Sequence, residues 1–473
     1  MPKRSAVRGC AVALIDSEAS ARPAPGSIAG LLAKLREWRN DASHNAIAQK
    51  VAGGAFVIRV FSAALVFGSQ ILLARWMGSF EFGIYVYVFA WVLLIGELAD
   101  LGLASAAQRF IPEYSNSKSI ELLRGFVTHS RWLTVGAASL IAVLGGCAVK
   151  LCEPLLANYV VLPLTVAVVT VPFYALMQMQ DGIARSYNWV RIALMPMYIV
   201  RHIVMLAMVG FAYVAGLPAD AVTAVSLLAL SLALTAIGQT VMLNRRMAAE
   251  VGRGPRQTEA HTWLRVSLPM LMVGGFYLLL THVDILVLQQ FTSPSNVATY
   301  YAASKTIALV SFVYFAVSAA VAHRFTEYHI TGDRQRLSEF LNQSIQWTFW
   351  PSLAAAAGIL LLGEWLLRLF GPVFVEGLQS MIILAAGLLA RASVGPVERL
   401  LSMLGEQRVC AAVYGFAFAL NLVLCVILIP KLGIEGAAIS TTMAMIAESA
   451  LLFYVTRKRL NLHAFVLRPW RAP

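Results

Sequence analysis

The sequence predicts an all-α integral membrane protein of about 12 transmembrane helices, in two six-helix lobes with both termini cytoplasmic. Three observations predict it. Hydrophobic residues make up 59% of the chain and charged ones only 13%. Apolar runs recur at the length of roughly 20 residues that a helix needs to cross a bilayer. The basic residues cluster in alternate connections between those runs.

The spans follow from the apolar runs bounded by charge, Pro or Gly. In the first half they run from Ala52 to Ala74, Gly83 to Ala107, Leu133 to Leu151, Ala157 to Met179, Ile192 to Ala215 and Ala221 to Leu243. In the second half they run from Leu264 to Phe291, Val297 to Ala322, Ile345 to Leu362, Gly377 to Val397, Val409 to Ile429 and Ile434 to Val455. With the amino terminus inside, 29 of the 37 Lys and Arg fall on one side, four on the other and four within spans. Cytoplasmic loops carry such an excess. A missed helix would reverse the side of every later loop and erase the asymmetry.

The organisation is then a cytoplasmic basic tail over 1–50, a six-helix lobe over 51–243, a linker over 244–263, a second lobe over 264–456 and a basic tail over 457–473. The linker holds Gly252, Gly254 and Pro255. An even number of spans per lobe gives both lobes the same orientation, as in transporters with parallel repeats. The apolar stretch Cys10 to Ile15 is short for a secretory signal and is followed by Asp16 and Glu18. Ser27 to Arg39 reads either as a basic amphipathic helix on anionic lipid or as an irregular tail.

Composition excludes several classes. The net charge of +13 is scattered between apolar runs rather than gathered with aromatics, so no nucleic-acid partner is expected. Outer loops are too short for an external catalytic domain. The five cysteines show no CxxC spacing, no P-loop is present, and neither metal nor cofactor is expected.

The run from Phe82 to Tyr114 carries a Phe82-Gly83-x-Tyr85 helix start, an Asp100-Leu101-Gly102 turn and an Arg109-Phe110-x-Pro112-Glu113-Tyr114 exit. It resembles the amino-terminal pattern of bacterial oligosaccharide flippases, the polysaccharide transporter family of the multidrug and oligosaccharidyl-lipid exporter superfamily. Phe370-Gly371-Pro372 through Arg408, and Asn421 through Ala438, look alike too. Twelve spans rather than fourteen make the related peptidoglycan-precursor flippases a poorer match. The resemblance implies a transporter, not an enzyme. It would move polyprenyl-pyrophosphate-linked oligosaccharide from the cytoplasmic to the outer leaflet of the bacterial inner membrane by alternating access, for O-antigen or exopolysaccharide biosynthesis. Glycan polymerases or glycosyltransferases are the implied protein partners.

An ionisable side chain at membrane depth is expensive and defaults to a functional candidate. Arg59, Arg201, Lys305 and Arg391, with Tyr300, are candidates for the substrate headgroup and cavity. Asp284, Glu97, Asp100 and Glu448 are candidates for gating or for coupling to a proton or sodium ion. Arg59 with Asp100 or Glu97, and Asp284 with Lys305, lie at matching depths and are candidate pairs; static helix braces are the alternative. Two other functions compete with the flippase. One is a cation-coupled drug or metabolite antiporter of the same superfamily. The other is a membrane glycan polymerase, which would need a sizeable external acidic or Arg-rich loop that this chain lacks.

Overall fold

A computed structural model describes residues 44–252 and 254–467. The expectation for Ser27 to Arg39 lies outside them. The chain divides into two units, Met1–Gly54 and Ala55–Pro473. Of the first, the described residues from His44 onward are helical. The second carries everything that follows.

The described residues are helical almost throughout and contain no strand. Helix α1 is His44–Ala99, followed by α2 (Leu103–Asn116), α3 (Ile120–Leu151), α4 (Asn158–Val168) and α5 (Val171–Ser186). Then come α6 (Val190–Met195), α7 (Arg201–Val214), α8 (Ala221–Glu250), α9 (Ala260–Phe291), α10 (Pro294–Ile307) and α11 (Ser311–Ile330). The last are α12 (Arg334–Leu361), α13 (Gly363–Phe370), α14 (Leu378–Val394), α15 (Val397–Met403) and α16 (Gln407–Leu460).

Among the described residues, 8 helices are long and apolar enough to cross a membrane, or 10 if each of two bent pairs is one span. Two of these hold two crossings each. The 56 residues of α1 would stretch about 84 Å, far beyond a hydrocarbon core of roughly 30 Å. Gly78, with φ of 77°, breaks that helix. The 54-residue α16 is broken in the same way at Gly433. A side chain placed on Gly436 would start 2.5 Å from the carbonyl oxygen of Leu428. Eight residues along a straight helix are about 12 Å apart, so the chain has doubled back. Division at these two glycines yields the twelve crossings expected.

Several expected spans are interrupted. The run from Gly83 to Ala107 is not one helix. Its first part ends at Ala99, and Leu101 and Gly102, both at positive φ, turn the chain into α2. Helices α4 and α5 meet at 46°, and α12 and α13 at 62°. Pro172 stands in the first turn of α5, where its missing N–H costs nothing. Pro196 opens a π-helical turn, Pro196–Val200, that interrupts the fifth crossing. Proline cannot supply the usual ladder hydrogen bond, and such local widening accommodates the loss.

The packing differs between the two ends of the bundle. At the end carrying Gly78, Thr292 and Gly433, one apolar core joins both lobes, with Leu73, Phe82 and Tyr85 packed together with Tyr301, Leu367 and Phe374. The Phe82 ring meets those of Tyr301 and Phe374 edge-on at 6.0 and 6.2 Å. Ser79 and Ser295 hydroxyls lie 3.2 Å apart, and the Arg75 Nε donates to the Leu369 carbonyl at 2.7 Å. At the opposite end, where the basic loops lie, the cores are separate. Phe110, Phe126, Ile183, Leu243 and Trp263 form one; Leu341, Leu400, Tyr414 and Leu452 form another. Large apolar side chains such as Leu140, Leu144, Phe211, Ile237 and Phe416 stay exposed on the outside of the helices. In a bilayer these positions face lipid rather than water.

Candidate functional site between the lobes

Arg201 begins α7, immediately after the π turn, and is 8% exposed. One guanidinium nitrogen lies 3.2 Å from His202 Nε2; among the described residues Nε and Nη1 have no hydrogen-bond partner. The guanidinium carbon sits 6.0 Å from the centre of the Phe89 ring, within electrostatic reach of Tyr85, Tyr174, Tyr198 and Tyr301. From the other lobe, Lys305 near the end of α10 places its Nζ 5.2 Å from the centre of the Tyr301 ring. Thus one cation from each lobe lies within electrostatic reach of Tyr301. Among the described residues, neither forms an ion pair.

Asp284 of α9 lies close enough to Lys305 for attraction but is held by other groups. It accepts the Tyr300 hydroxyl at 2.6 Å, the Thr441 hydroxyl at 3.2 Å and the Ile285 N–H at 2.8 Å. Three donors thus converge on this buried carboxyl group. Nearer the basic end, Arg391 of α14 pairs with Glu448 of α16 at 3.4 Å. Its guanidinium lies over the rings of Tyr277 and Tyr314 at 5.5 and 5.3 Å. In the first lobe Glu97 accepts from Gln178 Nε2 at 2.7 Å. Its other oxygen lies 3.8 Å from where a side chain on Gly274 of α9 would begin.

This geometry can be set beside known proteins. A family model described as "Polysaccharide biosynthesis protein" matches residues 53–329, more than half of the chain. The chain belongs to the polysaccharide biosynthesis protein family. A second model, MatE, matches residues 269–427 of this family member. The probable low-salt glycan biosynthesis flippase Agl15 of Haloferax volcanii is 24% identical over 180 residues, which is 38% of either chain. The match therefore spans well under half of that relative's length. Among solved structures, an inward-facing multidrug resistance MATE transporter of the MOP superfamily superposes with a TM-score of 0.70 at 15% identity. That superposition covers 86% of this chain and 98% of the other. The lipid II flippase MurJ, in an inward closed conformation, gives 0.67 at 16% identity over 85% and 87% of the two chains. At such identities the likeness establishes the fold alone.

Within this family member, the motif residues read from the sequence have structural tasks. Tyr114 accepts the Trp263 indole N–H at 3.0 Å and stacks on Phe110, fastening the start of α9 to the first lobe. Arg109 and Glu113 form an exposed pair at 3.7 Å. Asp100 accepts the Ala104 N–H through both oxygens, at 3.3 and 3.1 Å, and so caps the first turn of α2. Arg59 lies in α1, its side chain outside those described.

Two expected assignments change. Tyr300 was a candidate cavity residue, but it is 0% exposed and its hydroxyl is committed to Asp284; it supports the carboxylate and offers no face to a ligand. Among the described residues Asp284 and Lys305 form no ion pair; the carboxylate accepts the Tyr300 and Thr441 hydroxyls. Sequence reasoning missed the Arg391–Glu448 pair, although both residues lie at a similar depth from the basic end. It also missed Asp181, which accepts from Arg185 Nε at 3.0 Å. Their spacing of one helical turn was the available signal.

Proposed function

We propose that the chain flips a polyprenyl-diphosphate-linked oligosaccharide from the cytoplasmic to the outer leaflet by alternating access. The observation that carries the reading is that buried Arg201 and half-buried Lys305, one cation from each lobe, form no ion pair with a carboxylate among the described residues. Burying charge without a counter-charge is costly. The cost is recovered when an anionic ligand arrives, and guanidinium geometry suits a phosphate oxygen pair. The glycan, with hydroxyls that hydrocarbon cannot satisfy, passes between the lobes while its lipid stays in the bilayer. Glu97, Asp100, Asp284 and Glu448 supply acids for coupling to a proton or sodium gradient. The setting is a bacterial inner membrane, where glycan polymerases or glycosyltransferases supply or consume the substrate.

The test is transport of fluorescent undecaprenyl-diphosphate glycan in proteoliposomes. Loss of one charge-assisted contact worth about 1.5–3 kcal/mol predicts a fall of roughly 10- to 150-fold for Arg201→Ala. Arg201→Lys should retain part of the rate. Wild-type rates in folded Arg201→Ala and Lys305→Ala would refute the role of both cations. The MatE match over residues 269–427 favours a second reading, a cation-coupled drug or metabolite antiporter. Uptake of a lipophilic cation without movement of the lipid-linked glycan would select it.

A further inference from the structure

At the end where the lobes share one core, a cavity of about 430 Å³ opens between them. Such a volume falls in the range of roughly 300–1,000 Å³ that holds small-molecule ligands. The first lobe contributes Tyr87 and Tyr159; the second contributes Gln289, Gln290, Thr292 and Ser293 from the end of α9 and the turn after it. The rest of the lining is apolar, and no acid or base takes part. Gln290 Nε2 donates to the Tyr87 hydroxyl at 3.3 Å, a bridge between the lobes. Gln289 is only 8% exposed, and among the described residues its Oε1 has no hydrogen-bond partner. Tyr159 is 40% exposed, its ring fixed edge-on against Phe80 at 5.3 Å.

We propose that this cavity is a binding site for neutral sugar, assembled from both lobes and separate from the cationic site at Arg201 and Lys305. The ligand class takes its sense from the glycan reading above. Two amides and the hydroxyls of Tyr87, Thr292 and Ser293 offer both donors and acceptors, as a sugar hydroxyl requires. The half-exposed Tyr159 ring offers a face for a pyranose. A phosphate or a carboxylate finds no cation here. Gln289 borders the cavity with its Oε1 buried and without a hydrogen-bond partner among the described residues; rotation of the amide about its last torsion would turn this acceptor toward a sugar hydroxyl. Because Tyr87 and Gln290 come from different lobes, an occupant holds this end closed.

The test uses full-length protein in nanodiscs with Cys10, Cys147 and Cys152 replaced by Ser and with Thr292→Cys as the reporter. The rate of maleimide labelling is measured alone, then with millimolar N,N′-diacetylchitobiose, maltotriose or lacto-N-tetraose, and with glucose 6-phosphate as a charged control. At half occupancy at least one neutral oligosaccharide slows labelling about twofold. The effect disappears in Gln289→Leu with Gln290→Ala. Unchanged labelling with all three neutral sugars overturns the assignment, and so does protection that survives the double substitution. Lipid-linked glycan transport is assayed in parallel. Transport without protection removes the sugar site alone; protection without transport keeps the site and removes the flippase reading.

Discussion

Gly83→Ala is predicted to force open the end at which the lobes meet. Gly83 starts the second crossing and abuts Pro294, the first residue of α10 in the other lobe. An added Cβ would lie 1.8 Å from the Pro294 carbonyl oxygen, where an unstrained carbon–oxygen contact is about 3.3 Å. The obstacle is backbone, so no side chain can swing aside, and the helix ends must part by about 1.5 Å. Overpacking of this kind costs about 1–3 kcal/mol, equivalent to a shift of about 5- to 150-fold away from the closed arrangement. Ser79→Cys with Ser295→Cys reports that arrangement, since the native hydroxyl oxygens are 3.2 Å apart. Oxidative cross-linking in proteoliposomes should slow by that factor when Gly83→Ala is added. Gly136→Ala is the control, because nothing lies within 4 Å of its new atom. Equal cross-linking rates for Gly83→Ala and the control, in protein that elutes as a single folded species, would refute the reasoning.

Two further predictions concern the buried charges. Arg391→Ala leaves Glu448, 1% exposed, without its partner. Thermal unfolding in detergent should register a loss of about 3–5 kcal/mol. Adding Glu448→Gln should recover much of it, and a double variant no more stable than the single would show that the pair is not coupled. For Asp100, the cap on α2 predicts a loss of about 0.5–2 kcal/mol for Asp100→Ala and little for Asp100→Asn, which keeps an acceptor oxygen. If Asp100→Asn instead abolished transport at unchanged stability, the carboxylate would belong to ion coupling.

The twelve crossings were legible because bilayer thickness imposes a length on every apolar run and basic loops mark alternate ends. The interruptions were less so. Asp100-Leu101-Gly102 was visible as a motif, yet nothing local says that the helix stops there rather than bending. The tight reversals at Gly78 and Gly433 were legible as breaks between apolar runs, marked by Arg75 and Glu81 in one and by Lys431 and Glu435 in the other. Depth arithmetic found the right neighbourhood for Asp284 and Lys305 but not the partners. Tyr300 is 16 residues from Asp284 and Thr441 is 157 residues away, and only the folded bundle brings these hydroxyls to the carboxylate. Arg201, without a counter-ion among the described residues, was legible as a charge within a span; the tyrosines within its electrostatic reach come from four separate crossings. Gln289 and Gln290 drew no attention, since neutral amides near a helix end are ordinary until a cavity forms around them.

Helix α9 starts against Tyr114 and Phe126 of one lobe and finishes beside Thr441 of the other. It is a rod clamped at opposite tips to opposite bodies. Any rocking of the halves therefore cannot be a free swivel. In an alternating-access cycle, rotation of the lobes would load this rod at both tips.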